Sequence, residues 1–542
     1  MTRFLVRFDG TRAGGPAIAG DARIDEGAPE ARTTPDLEAN GVVRASGAPS
    51  LDLDRILDAW RQWGDACVEQ FIGDFSFVIT DGARLFAARD RFGVRPLYYA
   101  RHDGALLVTN TLASLLEIVP HDLDEQSLAD FMIYGFPVDP SRTIYARISR
   151  VPPAHRLVAE GDRVRVERYW SFPIRDAPLR ISERDAVAEF RERFLRAVKD
   201  RARGAVVVSM SGGLDSTSVA AALVHAGADV RALTAVWDEL IPDEERAAAG
   251  IAARALGIPI DFQPCDRYEL FARWDEPVIR GFEPNHEPFS AAFHDFMAMA
   301  AARGAVLMGG WGGDPLLAAS HSYFFDLLRR GRWLRFGAEA AQFAITRRQL
   351  PPLLLRSRFL RAIGVHRNRD TPPAWLLPHL KERWHEPMPT TDPRTHPFRP
   401  EAFRAITNSA WQAVFESYHE GKTQQPIDFA APLFDTRLLE FAFSLPPMPH
   451  FAGKDLLRQA MRGWLPDAVR LRPKTPLRGE PLAVVWPQIA PRWVGTIAAC
   501  DDLERFIERR ILQQELRLSS KAHVRHQAHA IGFASWLQFE RA

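Results

Sequence analysis

The stretch AVVVSMSGGLDSTSVAAALV, residues 205–224, decides the fold. A run of β-branched residues stops at Ser-Gly-Gly-Leu-Asp-Ser, and an alanine-rich helical pattern follows. A strand that ends in a glycine-rich turn and opens a helix is an anion site. Gly212 and Gly213 let the backbone approach closely, and successive N–H groups plus the helix N-terminus face a phosphate. Ser211 and Ser216 add hydroxyl donors. No Gly-Lys-Ser/Thr closes the turn, so it is not a Walker A loop. Asp215 would repel a phosphate on its own, and makes sense as a ligand of Mg²⁺ bridging to the phosphates.

Two later stretches supply what such a loop needs. AVLMGGWGGDPLL, residues 305–317, is a second strand-then-glycine segment, and its Asp314 is the candidate second Mg²⁺ ligand. In a parallel sheet both loops emerge at the carboxyl ends of their strands, where ligands bind. FAGKDLLRQAM and LRPKTPL contribute Lys454 and Lys474, candidates to neutralise phosphate charge or a developing oxyanion.

Outward from this centre, β and α patterns alternate. SERDAVAEFRERFLRAVKDRA predicts a helix with Ser182 as N-cap. Strand 205–210, a helix from Ser216, strand VRALTAVW, helix DEERAAAGIAARALG, strand IPIDFQP, helix FSAAFHDFMAMAAARG and strand AVLMGG follow. That order predicts an open parallel sheet with helices on both faces. The chain from about 320 reads as helical, with an Arg-rich part at 321–375 that suits either a solvated face or a docking surface for an acidic partner or peptide. Residues 1–175 read mostly as strand. FIGDFSFVITDG alternates and turns at Asp81-Gly82 into ARLFAARD; VRPLYYAR and ALLVTN flank the Asp103-Gly104 turn. The Gly/Ala/Pro-rich residues 10–36 predict a long loop, and RVERYWSFP with RDAPLR a connector.

Composition narrows the classes. The chain has 542 residues, is 46% hydrophobic, and carries 69 Lys+Arg against 68 Asp+Glu. That balance gives no support for bulk nucleic-acid or membrane binding. Cys67, Cys265 and Cys500 are widely spaced and predict reduced, buried thiols in a cytoplasmic protein. No apolar h-region is visible at the N-terminus, and no apolar run reaches membrane-spanning length.

In this order the pieces resemble the asparagine synthetase superfamily. SMSGGLDSTS is similar to its pyrophosphate loop, GGWGGDPLL to its second Mg²⁺-binding motif, and APLFDTRLLEFAFSLP, GKDLLRQAMRGWLP and RPKTPL to its C-terminal helical region. GDFSFVITDGARLFAARDRFGVRPLYY resembles its N-terminal glutaminase-type domain. The resemblance implies an α/β protein. A β-rich, Ntn-type sandwich over 1–175 would precede an ATP-pyrophosphatase-type parallel-sheet synthetase domain over 183–542 with a helical C-terminal part. It implies ATP and Mg²⁺, with Ser209, Ser211, Gly212, Gly213, Leu214 and Ser216 around the pyrophosphate, Asp215 and Asp314 on the metal, and the main chain of 231–237 along the adenine. Lys474 would stabilise the oxyanion and Lys454 neutralise phosphate.

The departures from the family pattern carry further expectations. Residue 2 is Thr where the glutaminases need a nucleophilic Cys, and no Asn-Gly-Glu stretch holds glutamine, so the first domain is expected to be an inactive scaffold. Trp311 stands where asparagine synthetases have Glu and β-lactam synthetases Tyr. An indole accepts no proton, so the nucleophile is expected to be an amine carried by the substrate. With the Arg-rich helical segment, this looks most like the lasso peptide cyclases, which adenylate an Asp or Glu side chain of a precursor peptide and close a macrolactam with its N-terminal amine. A leader-binding protein and a leader protease would be the implied partners, and small-molecule amide ligation the alternative. His286 and Glu287 are candidates for a base.

Overall fold

Alternation such as that of GDFSFVIT builds a sheet buried on both faces. The computed structural model describes residues 4–8, 17–24, 51–81, 83–241, 244–317, 323–329, 331–347, 372–383, 390–473, 479–521 and 523–540. The first lobe contains β1 (Leu5–Phe8), β2 (Ala17–Ile24), β3 (Gly73–Thr80), β4 (Arg84–Arg89), β5 (Tyr98–His102), β6 (Ala105–Thr109), β7 (Ile148–Arg150), β8 (His155–Glu160) and β9 (Arg163–Arg168). They form two antiparallel sheets, ordered β1-β6-β5-β7 and β2-β3-β4-β8-β9. Val6, Phe8, Val78, Leu85, Leu106 and Leu157 fill the space between them. Because side chains alternate along a strand, Phe75, Phe77 and Ile79 point the other way, onto the helix Leu51–Trp63. The outer face of the other sheet packs under the helices Glu125–Tyr134 and Val524–Glu540. The lobe is thus a sandwich with helical layers outside.

Three expectations need correction here. The helices Leu51–Trp63 and Glu125–Tyr134 lie in a region read mostly as strand. The second is capped by Asp124, whose carboxylate accepts from the Ser127 N–H at 2.7 Å. Strand β2 falls inside the expected loop 10–36. It pairs with β3 from Ala17↔Thr80 to Ile24↔Gly73, so ladder hydrogen bonds to a sheet edge override weak local propensity. The rest of that stretch lies outside the described residues. The expected connector begins two residues inside β9, which reaches Arg168.

The second lobe follows the predicted alternation. A parallel sheet contains β10 (Val206–Ser209), β11 (Val230–Val236), β12 (Ile260–Pro264), β13 (Val306–Gly309) and β14 (Asp428–Ala430), in the order β12-β11-β10-β13-β14. The helices Glu183–Lys199 and Leu214–His225 cover one face, and Ser290–Ala301 the other. Ser182 caps the first of them, accepting from Asp185 N–H at 3.1 Å. The helix expected from Ser216 starts two residues earlier, at Leu214. Strand β14, in the part read as helical, was not anticipated; three residues leave no readable period.

Strand order reverses between β10 and β13, whose ends pair Ser209↔Gly309. A crevice opens at such a switch point, so the Ser211–Ser216 and Gly310–Asp314 loops leave the sheet side by side.

Buried ion pairs lock the lobes together. Arg201 bonds Asp74 of β3 at 2.9 and 3.1 Å and Asp435 at 2.9 Å. Burial alone would raise the Asp435 pKa, but Arg201 and Arg437 outweigh it and hold the carboxyl at about 2. A depressed folded pKa gives stability that is present above the unfolded value and lost as pH falls toward the folded one. The urea midpoint should therefore drop as pH falls below about 4, and Asp435→Asn should flatten that slope. Equal slopes in variant and wild type would refute the assignment.

Candidate active site

The residue types of the glycine-rich loop dictate its geometry. Gly212 has φ +67°, and a Cβ there would lie 2.6 Å from the backbone N of Ala249, so only glycine lets the loop pass under the helix Glu245–Leu256. Gly213 is the N-cap of the helix Leu214–His225. The Ser211 N–H donates to the Ser216 hydroxyl at 3.3 Å, which closes the loop on itself. From β13, Gly313 packs so tightly on Asp215 that a Cβ would sit 2.5 Å from its Oδ2. The two loops therefore hold Asp215 between them.

Lys454 completes the constellation. Its Nζ bonds Asp215 Oδ2 and lies 2.6 Å from Asp314 Oδ1, so one ammonium bridges both carboxylates. Lys454 has φ 60°, directly after Gly453 at φ 58°. Two successive left-handed residues, one with a side chain, are strained backbone of the kind that collects at functional sites. Arg458 anchors this turn: its guanidinium donates to Gly453 O at 2.8 Å and Arg472 O at 3.0 Å. Arg472 in turn pairs with Glu244 at 3.1 Å.

A cavity of about 640 Å³ joins these groups. Ser209, Ser211, Gly212, Gly213, Leu214, Asp215, Ser216, Trp311, Asp314 and Lys454 all line it, so the structure brings these candidate residues together. The Asp314 side chain is 59% exposed, so the cavity opens to solvent on that side. Lys474 lies outside the described residues; Arg472 and Pro473, just before it, line the cavity. An Asp pair beside a glycine-rich turn at a helix start suits a Mg²⁺ that would take its remaining ligands from phosphates and water. The bridging ammonium marks the same point as a cation position, so these residues fit the metal.

Trp311 forms the far wall. Its ring stands edge-on to Tyr418 (centroids 5.0 Å apart) and Phe429 (4.8 Å), and a Cβ on Gly309 would meet the ring at 2.5 Å. Burial pushes the Tyr418 phenol up to about 12, an effect that the adjacent indole counters only in part. Sequence reading missed Tyr418, Glu244, Glu245, Arg458 and Arg472. Arg458 and Arg472 stand within or beside the motifs that contain the two lysines, and could have been found there. Tyr418 meets Trp311 only through the fold.

His286 is not a base for this site. It lines a different cavity, against Gly135 of the first lobe, and burial followed by the charges of Lys422 and Arg525 lowers its pKa to about 4. Glu287 accepts from Phe289 N–H at 3.1 Å and acts on Tyr418 through its charge. Cys67, Cys265 and Cys500 are free and buried, as expected.

The family profile described as asparagine synthase matches residues 189–541, and that described as a glutamine amidotransferase domain matches 45–170. The chain belongs to the asparagine synthase family. Among curated relatives, the amidase chyE of Penicillium rubens is 30% identical over 249 residues, 42% of this chain and 36% of that protein. The glutamine-hydrolyzing asparagine synthetase 3 of Bacillus subtilis is 31% identical over 176 residues, 31% of this chain and 28% of that one. Asparagine synthetase 1 of the same organism is 24% identical over 295 residues, 53% and 45% of the two chains. Each match covers less than half of the relative. Among the described residues no helix is long and apolar enough to cross a membrane.

Proposed function

We propose that the protein is an ATP-dependent amide ligase that closes a macrolactam in a precursor peptide, by adenylating an Asp or Glu side chain and delivering the peptide's own N-terminal amine. The observation that carries the first half is the Asp215–Lys454–Asp314 bridge beside the Ser211–Ser216 turn. The second half is supported by Trp311, an indole without a basic atom at the wall of a cavity open on its Asp314 side.

The turn Ser211–Ser216, with Ser209 and Leu214 at its edges, would hold the pyrophosphate of ATP. Asp215 and Asp314 would hold Mg²⁺, which supplies neutralisation of phosphate charge. The substrate carboxylate attacks the α-phosphorus, the α–β phosphoanhydride breaks, and pyrophosphate leaves. The amine then attacks the acyl carbon, the bond to AMP breaks, and the amine proton passes to solvent. Lys454 balances negative charge during the first step, and Lys474 is proposed to face the oxyanion of the second. Neither needs to take the amine's proton, since an α-amine titrates near ~8. Enclosure against the Trp311 wall raises the effective concentration of the amine. A leader-binding protein and a leader protease are the proposed partners, in the cytoplasm.

Tyr418 has a role in this reading. Its proton stays on, since burial pushes its pKa up to about 12. It can therefore donate to a substrate oxygen but not serve as a base. Tyr418→Phe should lower product formation roughly tenfold, the worth of one hydrogen bond to a charged group, with no shift of the pH profile. A pH shift would make Tyr418 a titrating group and remove it as a donor.

Small-molecule amide ligation is the second reading, supported by the similarity to a protein named an amidase and to asparagine synthetases. Mass spectrometry with ATP and Mg²⁺ separates the two. AMP with loss of one water from a leader-free core peptide supports the macrolactam. AMP with asparagine from aspartate and ammonium, and an unchanged peptide, would overturn it.

A further inference from the structure

Asp314 is the exposed member of the carboxylate pair. It stands on the five-residue helix Gly313–Leu317, so the placement of that short helix decides where its carboxylate lies. A helix of this length leaves its last carbonyls without partners inside it. Leu316 O, two residues after Asp314, accepts from the guanidinium of Arg399. Arg399 reaches it from the N-cap of the helix Pro400–Ile406. The two helices pack together, with Leu316, Leu317, Ala402 and Phe403 in one buried cluster.

The same guanidinium touches the lysine side of the site. It lies 3.4 Å from the centroid of the Phe451 ring, three residues before Lys454, and 4.8 Å from that of Phe443. It also donates to Ala442 O at 3.1 Å, in the last turn of the helix Thr436–Ser444. Phe451 opens the short turn Ala452–Lys454, whose Gly453 O is held by Arg458 at 2.8 Å. One side chain thus joins the helix of Asp314 to the turn of Lys454. Arg399 and Phe451 are both fully buried. A charge in such a place is costly where an apolar side chain would fill the same space, so packing alone does not account for an arginine. Burial pushes the guanidinium down to about 9, which leaves it charged at neutral pH. Its plane can stack on a ring while its edge donates in two directions, which a lysine ammonium cannot do.

We infer that Arg399 is a positioning residue for amide ligation, which sets Asp314 against the Lys454 turn and so tunes the affinity of the site for Mg²⁺. It touches no reacting atom and acts through Asp314. The inference rests on the reading of Asp215 and Asp314 as Mg²⁺ ligands, and is independent of whether the acceptor is a peptide or a small molecule.

The test uses the full chain and α,β-methylene-ATP, whose bridging carbon prevents loss of pyrophosphate. Its binding is followed by titration calorimetry over a series of free Mg²⁺ concentrations, so the readout is occupancy and not turnover. Arg399→Lys should raise the Mg²⁺ concentration for half-maximal binding about tenfold, the scale of losing the support behind a metal ligand. Asp314→Asn should shift the same midpoint at least as far. The double variant should add no more than about threefold to Asp314→Asn, because two changes that act through one group do not add. If Arg399→Lys folds poorly, Phe451→Leu removes the ring beneath the guanidinium and should shift the midpoint in the same direction, about threefold. An unchanged midpoint in a folded Arg399→Lys, or shifts that multiply in the double variant, would overturn the inference. An unchanged midpoint in Asp314→Asn would instead overturn the metal reading beneath it.

Discussion

Asp215→Asn should reduce ATP-dependent AMP release roughly a thousandfold, the scale set by removing one preorganised electrostatic contact from an active site. The substitution is isosteric, so the close packing of Gly313 on residue 215 is kept. What changes is charge. Lys454 loses one of the two carboxylates it bridges, and the proposed metal position loses its buried ligand. Asp215 is the more consequential partner because its side chain is 13% exposed against 59% for Asp314. Water screens the second far more. Asp314→Asn should fall to the same background at physiological Mg²⁺ but recover in part when Mg²⁺ is raised; Asp215→Asn should not. ATP–pyrophosphate exchange reads the first step alone and needs no knowledge of the acceptor. Retention of exchange within threefold in Asp215→Asn would remove the carboxylate pair from the chemistry. The thermal midpoint should move little, which separates the effect from unfolding.

That pair was legible before any coordinates, and the reason is local. A strand, two glycines and a helix start are written within twelve residues, and the turn can do little else once Gly212 takes φ +67°. The parallel order followed from alternation along the chain. What stayed hidden depends on contacts distant in sequence. Lys454 was expected at the phosphates through the resemblance, but nothing in FAGKDLLR says that it bridges Asp215 and Asp314, or that its own backbone is left-handed. Tyr418 is an ordinary aromatic in a helix pattern until Trp311 is seen against it. Strand β2 is hidden for a related reason. AIAGDARI has poor strand propensity, and its state is decided by the open edge of β3. His286 shows the reverse case: a titratable candidate for the base, placed by the fold at a separate cavity.

Glu416→Ala should cost roughly 3–5 kcal/mol of stability, the penalty for leaving buried charge uncompensated. Glu416 accepts from Arg89 at 3.1 Å and from Arg150 at 3.0 to 3.2 Å, with side chains that are 7%, 0% and 4% exposed. Its removal takes a carboxylate from Arg89 and one of two from Arg150, which keeps Glu283, and Arg89 also holds the backbone of the first lobe at Arg95, Val151 and Gly93. The damage should therefore appear as lobe separation. Urea unfolding followed by tryptophan fluorescence and by far-UV circular dichroism should coincide in the wild type and part in the variant. The pH dependence has a definite sign. Burial would raise the Glu416 pKa, but the two arginines outweigh it and hold the carboxylate below its ordinary value. Its contribution is thus complete above the unfolded pKa and is lost as pH falls below it, so the variant's deficit should shrink in acid. Glu416→Leu with Arg150→Met should recover part of the loss, because a buried pair exchanged for apolar side chains is often neutral where a broken pair is not. No recovery in the double variant would mean that Arg89 alone carries the penalty, and that the lobes are held through β4 and not through β7.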